Sequence, residues 1–344
     1  VLRLIGILAS VLFAIAAAVL TWPQFFRLER TFPIAQIVSM RGALTLAFAA
    51  ILVLALLACA VRAVRGFAAS IALVALLAVV AGAGILVVRG LGEDTLPEPT
   101  ASSVRVMTWN TAGVDAQVIA RAAVEADADI VALPETTIDT GTEVAVAMRE
   151  LGRPMWAHHE SFADRPGYAE WAANSTTLLI SPDLGDYAVI QSNSDGTTNT
   201  STVPTVVAMP VVEGAGPTVV AVHAVAPRPQ DMEGWRADLQ WLADQCASDS
   251  VIMAGDFNAT VDSMMRLGVD GGLLGRCHDA AVATGNGAVG TWSTAWPELL
   301  GSPIDHVMAT SAWEPTGSVV LSSLDDAGSD HRPLIVQYEP ASAG

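Results

Sequence analysis

The sequence predicts a layered α/β or α+β domain, sheet packed on sheet with helices outside, behind three membrane-crossing helices. Three observations lead there. Residues 1–92 hold three long uncharged apolar runs. A break rich in Gly, Glu, Pro and Ser follows at 92–103. Beyond it, short apolar runs of strand length recur, with few stretches of helical period between them.

The membrane region comes first. Leu4–Phe26 carries no charge over 23 residues, Ala43–Val61 none over 19 and Phe67–Val88 none over 22. At about 1.5 Å per residue each approaches the ~30 Å of a hydrocarbon core. The expected division is 1–91 for this region (spans near 4–23, 43–61 and 67–88), 92–103 for a linker and 104–340 for a globular domain. Arg62 and Arg65 occupy a tight turn that suits the cytoplasmic side, and Arg3 agrees. Arg27, Arg30, Arg41 and Arg89 then lie outside, so the charge rule is nearly balanced. An odd number of spans puts the globular domain opposite the amino terminus, and the reading taken is a multi-pass cell-membrane protein with that domain extracytoplasmic. The loop Trp22–Arg41, with Trp22, Phe25, Phe26 and Phe32, is expected along the bilayer interface. A transporter is excluded, because the three runs contain no ionisable residue to line a path.

In the globular part, Val104–Trp109, Ile130–Leu133, Thr176–Ile180, Tyr187–Gln191, Val203–Met209, Val219–His223, Val251–Ala254, Ile304–Met308, Ser318–Leu321 and Leu334–Tyr338 read as strands. Ala116–Ala126, Glu143–Leu151 and Asp231–Gln245 read as helices, the last with Trp235, Leu239 and Leu242 on one face.

Charge is divided between the two parts. Residues 1–92 contain seven arginines and one acid, Glu29; from Glu93 onward there are 10 arginines, no lysine and 34 acidic residues. So acidic a domain suits a broad grip on duplex nucleic acid poorly. Metal ions can supply local positive charge, so nucleases remain open. Of three cysteines, Cys246 and Cys277 lie in the globular part. Two buried free thiols are the favoured reading, with pairing open if the domain faces an oxidising compartment.

Polar words gather at the strand ends. Asn110 follows the first strand and Glu135 the second, where a carboxylate is often a ligand. Asp256 and Asn258 stand two apart after a buried run; in extended backbone both side chains point one way, so one can hold water and the other a phosphoryl oxygen. His223 closes another apolar run. Asp305 is a candidate partner for His331, fixing its tautomer, which leaves Asp330 free for metal. His306 reads as a wall or core residue, His158 and His159 as exposed strand-end residues, and His278 has no spacing that recommends it. The set suits a divalent cation and a phosphate.

Taken in order, Trp109-Asn110, Pro134-Glu135-Thr136, His223-x-x-x-Pro227, Gly255-Asp256-Phe257-Asn258-Ala259, Ile304-Asp305-His306 and Ser329-Asp330-His331 resemble the endonuclease/exonuclease/phosphatase superfamily across about residues 104–338. The resemblance implies a four-layer sandwich with two central, mostly antiparallel sheets and the site at one end between them. It implies Mg²⁺, with Mn²⁺ as a substitute, on Asn110, Glu135 and Asp330, Glu135 foremost. By position, Asp256 orients or deprotonates the water, Asn258, His223 and Asn174 bind substrate, and His223 and the Asp305–His331 pair are catalytic. Two departures stand out. Ala112 replaces an acidic residue found in some members, and Ala172-Ala173-Asn174-Ser175 lacks a supporting glutamate, with Glu170 a nearby substitute. The support of His223 and a second metal position are therefore left open.

The function expected is a membrane-anchored, metal-dependent phosphoesterase, with an extracytoplasmic nuclease as the alternative and an inactive binding module as a second. Its partners would be the lipid bilayer and a phosphoester substrate, whether lipid head group, nucleic acid or inositol phosphate; no obligate protein partner is expected.

Overall fold

Three helices, α1 (Leu2–Thr21), α3 (Arg41–Ala58) and α4 (Arg65–Arg89), are long and apolar enough to cross a membrane. The protein is described by a computed structural model over residues 2–93, 95–162, 171–190 and 199–341. Glu170 and Gln191 lie outside the described residues. α1 stops at Thr21, two residues before Pro23, which has no N–H for a further turn. The segment beyond it makes turns and then a short helix, α2 (Ile34–Ser39).

That segment has two faces. Trp22 and Phe25 are 68% and 80% exposed. Its other face is laid on the globular domain: Ala35 joins the core around Trp235, Ser263 Oγ donates to Glu29 O at 3.2 Å, and Gln24 Nε2 donates to Asp262 Oδ1 at 2.8 Å. The stretch after α4 is irregular but held. Gly92 N donates to Gly285 O at 3.1 Å, Glu93 N to Asn286 Oδ1 at 3.0 Å, and Arg105 Nη2 to Pro97 O at 2.9 Å.

The globular domain carries two six-stranded mixed sheets. The first contains β1 (Val104–Thr108), β2 (Ile130–Pro134), β3 (Trp156–Ser161), β4 (Ser175–Ile180), β13 (Trp313–Val320) and β14 (Leu334–Pro340), in the order β13-β14-β1-β2-β4-β3. The second contains β5 (Tyr187–Val189), β6 (Val206–Pro210), β7 (Thr218–His223), β8 (Val251–Asp256), β11 (His278–Asp279) and β12 (Asp305–Ala309), in the order β11-β12-β8-β7-β6-β5. A two-residue ladder, β9 (Leu267–Gly268) with β10 (Leu274–Gly275), stands apart. Only β1–β2 and β7–β8 pair in parallel in the two large sheets.

Alternation explains the layers. On β1, Val104 and Val106 face the second sheet, while Met107 packs on α5 (Ala116–Glu125) and α6 (Ile138–Glu150). On β8, Ile252 and Ala254 face the first sheet, and Val251 and Met253 pack on α7 (Met232–Gln245) through Leu239 and Leu242. Three apolar interfaces thus stack four layers, helix on sheet on sheet on helix. Truncating Leu242, fully buried, to alanine would cost about 2–5 kcal/mol. Two four-residue helices, α8 (Val261–Met264) and α9 (Ala280–Ala283), lie at the ends of the second sheet.

Several expectations need correction. α6 begins five residues before Glu143, because Thr137 caps it by accepting from Thr140 N and so supports a first turn of weak helix formers. β13 reaches back to Trp313 through a bulge between Pro315 and Gly317. His158 and His159 are mid-strand in β3 and partly buried, not exposed strand ends. Cys246 and Cys277 are bonded as a disulfide rather than free. Their side chains are buried against α7 and β8, so burial alone does not separate the two states.

Candidate active site

Strand register assembles the site. His223 at the end of β7 pairs with Asp256 at the end of β8, and Asp256 pairs with Asp305 at the start of β12. Partners across a ladder present their side chains on the same face. Three residues from distant parts of the chain therefore share one sheet end. β8 can lie this close to β7 because residue 255 is glycine, at φ +154°; a Cβ there would stand 2.0 Å from Val222 O.

The first sheet supplies the rest. Asn110 and Glu135 follow adjacent strands β1 and β2, and Asn110 Nδ2 donates to Glu135 Oε1 at 3.0 Å and to Asp256 Oδ2 at 3.2 Å. Ser329 Oγ donates to Asn110 O at 2.6 Å and accepts from His331 N at 2.9 Å; Trp109 Nε1 donates to His331 O at 2.8 Å. The His331 loop is thereby tied to the end of β1. Glu135 and Asn258 are non-glycine residues at φ +55° and +47°. Such backbone costs about 1–3 kcal/mol and collects at functional sites. Asn258 therefore does not reach Asp256 through extended backbone as expected: the strand ends at Asp256, and a turn brings Asn258 Nδ2 to 3.2 Å from Asp256 Oδ2.

His331 Nδ1 lies 2.8 Å from Asp305 Oδ2, and its Nε2 lies 3.9 Å from Asp256 Oδ2 and 3.8 Å from Asp330 Oδ1. Burial alone would lower its pKa, but Asp305, Asp256 and Asp330 together outweigh that and raise it to about 10. The three carboxylates thus favour the charged ring. His223 is the opposite case. Burial lowers it to about 4 despite Glu135, whose Oε1 is 3.9 Å from His223 Nε2. Its Nδ1 has no hydrogen-bond partner among the described residues. Burial, and then the charge of Asp305, raise Asp256 to about 7.

A cation fits here. Glu135 and Asp256 are bridged by a single amide NH₂, with Asp305 and Asp330 close by, so carboxylates exceed positive groups. Asp256, Asp305 and His331 offer ligand atoms within 4.8 Å of one another and could hold a metal. Asp305 and His331 already occupy each other, however, so Glu135 is the better oxygen donor for a hard ion, with Asp256 beside it and Asn110 turning its NH₂ toward both carboxylates. Asp330, assigned to metal with Asn110 and Glu135, instead contacts His331 and accepts from Trp292 Nε1 at 2.9 Å, its side chain 65% exposed. Asn174 does not line the main pocket, and its Oδ1 accepts from Trp171 N at 2.9 Å. His306 is a core residue, its Nδ1 2.5 Å from Asp279 and its Nε2 2.8 Å from Ala259 O.

A cavity of about 730 Å³ opens over Glu135, Asp256, Asn258 and His331. Sequence reasoning missed Arg228, Ser302 and α2 on its wall. The one available signal was the aromatic, amphipathic character of the first loop.

Residues 107–331 match the Endonuclease/Exonuclease/phosphatase family. The chain belongs to that family. Its members are hydrolases of phosphoester bonds, and this member is such an enzyme. Among solved structures it is similar to an endonuclease/exonuclease/phosphatase from Beutenbergia cavernae (19% identity, 70% of this chain and 72% of that one, TM-score 0.54). It is also similar to D. rerio TDP2 humanized by 14 mutations (16% identity, 70% and 100%, TM-score 0.52) and to a family protein from Leptotrichia buccalis (14%, 69% and 99%, TM-score 0.50). At these identities the likeness is one of fold. No curated protein matches the chain.

Proposed function

We propose that this family member is a membrane-anchored, divalent-cation-dependent phosphoesterase whose catalytic domain works outside the cytoplasm. One observation carries the reading: Glu135 from the first sheet, Asp256, Asn258 and His223 from the second, and the Asp305–His331 pair meet beside one cavity. Mg²⁺ held by Glu135, beside Asp256, would supply positive charge to the phosphate and the leaving oxygen. Asp256, poised near neutrality, aligns the attacking water and accepts its proton. The His331 imidazolium and the amide of Asn258 donate to phosphoryl oxygens, where charge grows in the transition state. His223, neutral, donates from Nε2. The convergence of these side chains argues against an inactive binding module.

Two features support the side of the membrane. The Cys246–Cys277 disulfide suits an oxidising compartment. Arg62 and Arg65 sit at the end of the spans away from the catalytic domain.

The deciding experiment uses the full-length protein in detergent with bis(p-nitrophenyl) phosphate and p-nitrophenyl phosphate, with and without Mg²⁺, beside Glu135→Ala. Cation-dependent turnover in the parent and its loss in the variant are expected, with calorimetry showing Mg²⁺ binding only in the parent. A parent that neither binds Mg²⁺ nor turns over either ester overturns the proposal. Protease added to intact cells should clip the chain near Pro97; protection argues for the opposite orientation.

A further inference from the structure

The membrane region forms part of the catalytic pocket. Ala35, Gln36, Ser39 and Met40 line the cavity that holds Glu135, Asp256 and His331. Met40 is followed directly by Arg41, the first residue of the α3 span, so the pocket mouth stands where a span begins. The opposite lip carries Trp292, and that loop is seated on the same span. A Cβ on Gly42 would stand 1.7 Å from Leu299 O, so the first turn of α3 and the loop are in direct contact. Trp22 and Phe25, both exposed, mark the same level at the end of α1.

Gln36 pins one wall in place: its Nε2 donates to Pro227 O, and both residues line the cavity. The wall is fixed by charge. Asp262 accepts from Arg41 Nη2 at 2.7 Å and from Arg89 Nη1 and Nη2 at 2.8 Å, joining the near ends of two spans to the catalytic domain.

We infer that the substrate is the phosphoester head group of a lipid held in the bilayer, read between α2 and the Trp292 loop. This deepens the phosphoesterase reading and rests on it. A head group at the interface enters beside Met40, with its apolar part still in the membrane, whereas a long nucleic acid would have to pass between bilayer and acidic domain. In the reaction the oxygen of water bonds to phosphorus, the ester P–O bond breaks, and one proton ends on the departing alcohol oxygen. Gln36, Ser39 and Met40 form the wall beside the head group; Asp262, Arg41 and Arg89 are positioning residues that act through α2.

The test uses full-length protein in nanodiscs of phosphatidylcholine carrying phosphatidylglycerol, phosphatidylinositol or phosphatidic acid. Controls are the short-chain soluble form of each lipid, bis(p-nitrophenyl) phosphate and a single-stranded oligonucleotide. At least one bilayer lipid should be turned over about tenfold better than its soluble form. Ser39→Trp, which fills the wall, should lower kcat/KM for that lipid about tenfold more than for bis(p-nitrophenyl) phosphate. Gln36→Leu should act in the same direction, should the tryptophan disturb folding. Turnover of the small ester without any lipid overturns this inference and leaves the phosphoesterase reading standing. Equal effects of the variants on both substrates, or preference for the oligonucleotide, overturn it as well. Turnover of neither ester nor lipid removes both.

Discussion

Asp305 Oδ2 lies 2.8 Å from His331 Nδ1, both groups buried, while the far nitrogen of the ring faces Asp256 and Asp330. The carboxylate fixes the tautomer and favours the charged ring. Asp305→Asn should lower kcat about 10²–10⁴-fold. The raised pKa of His331 depends on that carboxylate, so the alkaline limb of the pH–rate profile should also move to lower pH. An unmoved limb would separate His331 from the chemistry.

Asp256 must be ionised to accept a proton. Burial and Asp305 raise its pKa to about 7, so activity should climb as pH rises through that region. A cation on Glu135 favours the Asp256 carboxylate and shifts this acid limb downward. Profiles at low and saturating Mg²⁺ check the point; coincident acid limbs would place the ion elsewhere.

Asp262 holds two arginines in a buried site. Burial opposes its charge, but Arg89 and Arg41 outweigh it and keep the carboxyl well below the ordinary range. A depressed folded pKa contributes stability that is full above the unfolded value, about 4, and is lost as pH falls toward the folded one. Asp262→Asn leaves buried Arg41 uncompensated and should cost about 3–5 kcal/mol. Thermal melts in detergent, across acid and neutral pH, read both effects; a variant that melts like the parent contradicts them.

Cys246 and Cys277 close a loop of sequence separation 31 between α7 and the second sheet. Reduction, or Cys277→Ser, should destabilise the domain by about 2–4 kcal/mol. Denaturant unfolding with and without reductant measures it, and equal midpoints would mean the bond does not form in solution.

The catalytic words were legible because each closes a buried strand, and alternation fixes which side chains emerge together. Gly255-Asp256-Phe257-Asn258 named two site residues, although Asn258 arrives by a left-handed turn that spacing cannot show. The layers were legible from Val104, Val106, Ile252 and Ala254, whose faces follow from period two. β3 was not, since Trp156-Ala157-His158-His159-Glu160-Ser161 alternates weakly and pairs on one side only, with β4. Nor was the role of α2, because local pattern cannot reveal that Ala35 packs against a helix some 200 residues away in sequence. Asp262 has no local signal in the sequence, because the two arginines that converge on it come from other helices.

That shared carboxylate leaves the catalytic head no swivel. A domain on a loose stalk sweeps a hemisphere; one clamped to two apolar helices keeps a constant height and heading relative to them. On the proposed reading of a bilayer-held substrate, encounters depend on lateral diffusion, so turnover should follow the mole fraction of substrate in the leaflet, not its amount per unit volume.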